Sequence, residues 1–87
     1  MVYYVYLIKT TNDYPAKTYV GYTNNLNKRL VKHNSNLGAK STKGYKWVVI
    51  YKKRFIKKKE ALSYEYLLKN NRKQRSLILN EFNKSQN

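Results

Sequence analysis

A chain without cysteine cannot staple itself with disulfides or a thiolate zinc site, so its fold has to rest on a hydrophobic core. In 87 residues that core is small, near the lower size at which packing alone holds a domain together. Residues 1–87 therefore read as one domain, with residues 83–87 as a fraying tail. Ten tyrosines suit so small a core, because each buries a large ring and keeps its hydroxyl for a partner. The N-terminal "MVYYVYLIKTT" has no basic region and no small-residue cleavage site, so it is not a secretory signal. No stretch approaches the about 20 apolar residues that span a bilayer. The expectation is a soluble, cytoplasmic protein.

The hydrophobic pattern gives the elements. Val2 to Ile8, "VYYVYLI", reads as a buried strand, and Thr18 to Tyr22 as a second. Between them "TTNDYPAK" is a turn too short for a crossover helix, so the pair should be antiparallel. Thr23 can cap a helix from Asn24 to Asn34, with Leu26, Leu30 and His33 on its apolar side and Arg29 beside them. "NSNLGAKSTKG" is a polar loop, and Tyr45 to Phe55 a third strand with an unbroken apolar centre. Lys57 to Lys69 reads as a second helix, with Ala61, Tyr64, Glu65 and Leu68 on one face. Arg72 to Phe82 is a third. The order β-β-α-β-α-α predicts an α+β fold, a small three-stranded antiparallel sheet flanked by about three helices.

Nineteen Lys and Arg face four acids, a formal net charge of +15. Such a surface attracts polyanions and gains from counterion release on phosphates, so nucleic acid is the first partner class. An anionic membrane surface is the second. It would need an amphipathic helix with an open apolar face, and the Ala61-to-Leu68 stripe is better explained by packing on the sheet.

Three sets of residues look odd for a purely structural job. Glu65 shares its stripe with apolar residues, where a carboxylate is costly to desolvate unless it is paired or holds a cation. A salt bridge to a nearby lysine is one reading. One carboxylate of a sparse Mg²⁺ site is the other, with waters and substrate phosphate completing the shell. Arg29 and His33, four apart on one helix face, read either as ordinary structural side chains or as a phosphate clamp beside the strand-to-helix turn. The strand tyrosines, Tyr4 and Tyr6 on one side and Tyr19 in the next strand, are core residues whose hydroxyls could converge near Arg29. Other chemistries lack their residues. There is no Cys, the single His has no acid near it in sequence, and no Walker or dinucleotide glycine pattern occurs.

These residues fall in the order of the GIY-YIG nuclease domain, which the chain resembles over Val2 to Lys69. "YVY" at 4–6 stands for the first tripeptide and "YVG" at 19–21 for the second. "NNLNKRLVKH" resembles the catalytic helix and "EALSYEYLLK" the metal-binding helix. "NLGAKSTKG" is similar to the Gly-Ala-Lys-x-Thr loop of the small, single-domain bacterial subgroup, itself similar to the catalytic module of structure-specific endonucleases. Tyr4 replaces the glycine of the first tripeptide, and Tyr22 stands where some relatives carry a lysine. The resemblance implies a metal-dependent endonuclease acting on DNA, branched or damaged DNA included. Glu65 would hold one Mg²⁺ or Mn²⁺ ion, and Arg29 would neutralise the phosphate. Tyr6 or Tyr19 would orient water or take its proton, with Tyr6 preferred and with nearby cations favouring its phenolate. His33 would support the substrate or the tyrosine. Lys32, Lys40, Thr42 and Lys43 would contact backbone phosphates. Gly21 would let the backbone approach substrate or a neighbouring element closely. The same fold without useful catalysis, a basic nucleic-acid-binding module, is the alternative. No membrane partner is implied, and association with the bacterial nucleoid or with a protein that targets the domain is compatible.

Overall fold

The computed structural model describes residues 1–86. Its elements are β1 (Tyr3–Thr10), β2 (Thr18–Thr23), α1 (Leu26–Asn34), β3 (Trp47–Phe55), α2 (Lys58–Lys69) and α3 (Arg72–Ser85), with a single 3₁₀ turn at Lys40–Thr42. The sheet is antiparallel throughout in the order β2-β1-β3. The expected α+β architecture and element order are those observed.

The apolar run of β1 is explained by its place. It is the central strand, and Val5, Tyr6, Leu7 and Ile8 are all buried because both faces are covered. Val5 and Leu7 join Val20, Ala61, Leu68 and Ile78 in a core beneath α2 and α3. Tyr6 and Ile8 join Trp47, with Tyr19, Leu26 and Leu30 of the α1 side packed against them. The even and odd residues of one strand thus feed two separate cores.

β3 changes face part-way. Leu7 pairs with Tyr51 but Ile8 pairs with Val49, which leaves Ile50 as the extra residue of a bulge. Trp47 and Val49 therefore pack on the Tyr6 side, while Tyr51 and Phe55 pack on the Val5 side. An apolar stretch without period-2 alternation is what such a strand needs.

Several boundaries differ from the sequence expectation, each for a local reason. β1 runs two residues further because buried Thr10 closes the hairpin. Its hydroxyl donates to Pro15 O at 2.9 Å and accepts from Lys17 N at 3.0 Å. Helix α1 is capped by Asn25, whose Oδ1 accepts from Lys28 N at 3.1 Å, and not by Thr23. The Thr23 hydroxyl instead accepts from Asn25 N, forming the turn that leads in. α3 continues through Asn83, Lys84 and Ser85, beyond the Phe82 end expected. Asn87, the last residue of the expected tail, lies outside the described residues. Among the described residues no helix is long and apolar enough to cross a membrane.

Candidate active site

Tyr6 and Gly21 sit directly opposite each other on β1 and β2. The Tyr6 hydroxyl end lies against Gly21, where no Cβ could fit. The close approach expected of Gly21 is thus made to the Tyr6 side chain. From there the phenol oxygen reaches α1. It lies 2.8 Å from His33 Nε2 and receives Arg29 Nε–H at 3.4 Å.

The hydrogen bonds of this group run one way. The Ala39 carbonyl can only accept, so the Thr42 hydroxyl donates to it at 2.7 Å. The lone pair of Thr42 Oγ1 then takes His33 Nδ1–H at 3.0 Å. That leaves Nε2 of a neutral imidazole as the acceptor, and Tyr6 O–H donates to it. Burial, with the Arg29 charge adding to it, lowers the His33 pKa to about 4, which keeps the ring neutral at physiological pH. Among the described residues no buried side-chain polar atom lacks a partner.

Two expectations are corrected here. Thr42 is fully buried and spends its hydroxyl on His33 and Ala39, so it does not meet a nucleic-acid phosphate. His33 is likewise fully buried and can support the tyrosine but not touch substrate. A third concerns Tyr6. Burial pushes its pKa up to about 12, against the opposing hydrogen bond and charge of Arg29. The cation does not win, and a 1% exposed phenol is not the group that meets solvent water. Tyr19 is only half-buried. Its ring stands edge-on to His33 at 5.2 Å, and it adds to the raised pKa of Arg29, which the Tyr6 hydrogen bond chiefly sets. Tyr22 turns to the other face of the sheet and stacks on Tyr3.

Arg29 is half-buried, and its Nε is committed to Tyr6. Among the described residues the only ion pair is Glu65 with Lys69, at 3.4 Å. Arg29 therefore carries a positive charge in a partly desolvated position without an acid to match it. Lys32, Lys40 and Lys43 are exposed around the same helix and loop.

Glu65 projects from α2, on the far side of the sheet from α1. Even so, its negative charge is felt at Tyr6, where it helps to raise the phenol pKa. Its side chain is 19% exposed and its lysine partner 49% exposed. A pair one helical turn apart whose lysine end is half in water is weakly held, so the carboxylate can exchange Lys69 for another cation. Among the described residues no three His, Cys, Asp or Glu side chains cluster as a metal cage. The donor set fits only the sparse kind of hard-cation site, one carboxylate completed by water and phosphate oxygens.

The sequence matches the family model of the GIY-YIG catalytic domain over residues 2–80. The chain belongs to the GIY-YIG family. It carries, accordingly, a nuclease fold. A UPF0213 protein from Oceanobacillus iheyensis is 41% identical over 81 residues, covering 92% of this chain and 91% of that one. Another from Clostridium perfringens is 43% identical over 67 residues, covering 76% of this chain and 69% of that one. The solution structure of a UPF0213 protein from Bacillus halodurans superposes with a TM-score of 0.50 at 32% identity, covering 92% and 84% of the two chains. All three are small proteins that this chain spans almost end to end or by more than two thirds.

Three parts of this candidate site are not legible in the sequence. Thr42 as the partner of His33 is one. Gly38, which makes room for the His33 ring, is another. The third is Asn34, whose amide brackets the Trp47 backbone, donating to Trp47 O at 3.1 Å and accepting from Trp47 N at 2.7 Å. The dense Gly, Ser, Thr and Asn content of residues 34–44 marked a structured loop. Nothing in it marked which side chain faces inward.

Proposed function

We propose that the protein is a divalent-metal-dependent endonuclease that hydrolyses DNA phosphodiester bonds, with branched or damaged DNA as the substrate class. One observation carries this reading. Arg29 is held half-buried by the Tyr6 hydroxyl with no acid to neutralise it, while the charge of Glu65 reaches the same tyrosine. A guanidinium so placed has its Nη groups left for a planar or tetrahedral oxyanion, and a phosphate suits its fork of donors.

In this mechanism the substrate phosphate docks on the Arg29 Nη groups. They neutralise its non-bridging oxygens as negative charge builds on them in the transition state. Tyr19, the less buried of the two phenols, orients the attacking water in line with the leaving oxygen. Tyr6 does not act as the base. It anchors Arg29, and its own proton is committed to His33. His33 in turn is fixed by Thr42, so the whole platform enters the reaction with no side chain left to reorganise. A Mg²⁺ or Mn²⁺ ion held by Glu65 would supply Lewis acidity at the scissile phosphate and leaving oxygen. Lys32, Lys40 and Lys43 hold flanking phosphates and add affinity without base readout.

The test is to incubate the pure protein with branched and with linear DNA in Mg²⁺, in Mn²⁺ and in EDTA, beside Glu65→Ala. The expected result is cutting that needs the metal and falls at least about a hundredfold in Glu65→Ala. A folded wild type that is inert on every substrate removes the catalytic reading. Binding that survives Glu65→Ala and weakens steeply with salt would then identify a binding module.

A further inference from the structure

Helix α2 has a second apolar stripe that the fold does not use. Ala61, Tyr64 and Leu68 face the sheet, yet Leu62, Tyr66 and Leu67 lie outside at 41%, 70% and 63% exposure. With Lys59 and Ser63 they fall at successive spacings of three, one, three and one, and these five residues line one shallow open surface. An exposed Tyr with two exposed Leu beside it is not needed for packing. It neighbours Glu65 of the candidate site, because Leu62, Tyr66 and Lys69 are respectively three before, one after and four after Glu65 on the same helix.

The charge around the stripe selects its occupant. Lys59 lines it, and Lys57, Lys58 and Lys69 are exposed at the two ends of the same helix, against Glu60 and the paired Glu65. A second copy of this chain, itself at +15, is repelled. An apolar, aromatic strip bordered by lysines fits a ligand with phosphates at its edge and flat apolar faces at its centre. Those faces are nucleobases, and only unpaired bases expose them. We propose that Tyr66, with Leu62 and Leu67, is a stacking surface for unpaired nucleotides next to the phosphate served by Arg29 and Glu65. The substrate class is then DNA with single-stranded nucleotides beside the scissile bond, an inference that rests on the nuclease reading for its position and on the stripe for its chemistry.

The test is a binding measurement in EDTA, so it does not depend on cutting. An oligothymidylate of about 15 nucleotides, at the upper end of the usual single-strand site size, is compared with a blunt duplex of equal length by fluorescence anisotropy. Wild type, Tyr66→Ala, Tyr66→Phe and Leu62→Ser are measured. Tyr66→Ala is expected to weaken oligothymidylate binding about tenfold, the loss of one stacked base, while duplex binding changes less than about twofold. Tyr66→Phe keeps the ring and should retain wild-type affinity. Tyr66 is 70% exposed, so its variants should melt with the wild type, and circular dichroism checks this. Equal losses on both DNAs, or none on either, overturn the proposal. So does tight binding of an acidic amphipathic peptide to this face with the oligothymidylate unaffected by Tyr66→Ala, which would assign it to a protein. Metal-dependent cutting without Tyr66 dependence defeats this inference alone, whereas Tyr66-dependent binding by a protein that never cuts defeats only the nuclease reading.

Discussion

At Gly21 an added Cβ would fall well inside contact distance of the Tyr6 hydroxyl, and at Gly38 one would stand 2.5 Å from His33 Nδ1. Neither neighbour can give way, because Tyr6 and His33 are both buried and hydrogen-bonded to each other. Gly21→Ala should therefore cost about 1–3 kcal/mol, as overpacking does. In a domain of this size each kcal/mol lowers Tm by roughly 4–8 °C. An unchanged Tm would show that Tyr6 is loosely held. His33 gives a second prediction. Its folded pKa is about 4 against an ordinary 6.5, so between those values the unfolded chain binds a proton that the folded one refuses. Its contribution is complete above pH 6.5 and is lost as pH falls towards 4, on the order of 3 kcal/mol in all. Urea midpoints at pH 7 and pH 5 should differ less in His33→Gln than in the wild type. Equal pH dependence would mean that the buried neutral imidazole is not the source. Type and order of Tyr6, Tyr19, Arg29, His33 and Glu65 were legible in the sequence. Which phenol is buried was not, because that depends on how the Gly38-to-Thr42 loop closes over α1.

Two asparagines fix α1, and with it the Arg29 and His33 side chains, to the sheet. Asn25 caps its start. Asn34, at its end, pairs with both main-chain polar groups of Trp47 and so acts as one more rung beside β3. Asn34→Ala removes both bonds and leaves two backbone groups short of a partner, at about 2 kcal/mol. Amide exchange at Trp47 should speed up in this variant more than at Leu7, in the central strand, and unchanged protection at Trp47 would show that the bracket carries no load. At this scale the elements are legible in the sequence where periodicity speaks. The apolar run of β1, the helical stripe Ala61–Leu68 and the short β1–β2 connection each dictated their element. They are not legible where a side chain competes with the backbone. Thr23 has the composition of a cap but folds into the preceding turn, and the bulge at Ile50 hides in a run with no period. The outward stripe Leu62–Tyr66–Leu67 was present in the spacing but masked by the inward one on the same helix.

Across the whole molecule, the two charges of the proposed mechanism sit on different helices. Arg29 rides on α1 and Glu65 on α2, and these helices cover opposite faces of a three-stranded sheet. The net charge of +15 draws a polyanion to either face, but the proposed mechanism requires both residues on one phosphate. A double-mutant cycle on single-turnover DNA cleavage, with Arg29→Ala, Glu65→Ala and the double variant, addresses this directly. If the two act on the same phosphate, each single change should slow cleavage by about a hundredfold or more, and the double should be far less impaired than the product of the two. Either single variant cutting at the wild-type rate, or losses that multiply in full as they do at independent sites, would contradict a shared site.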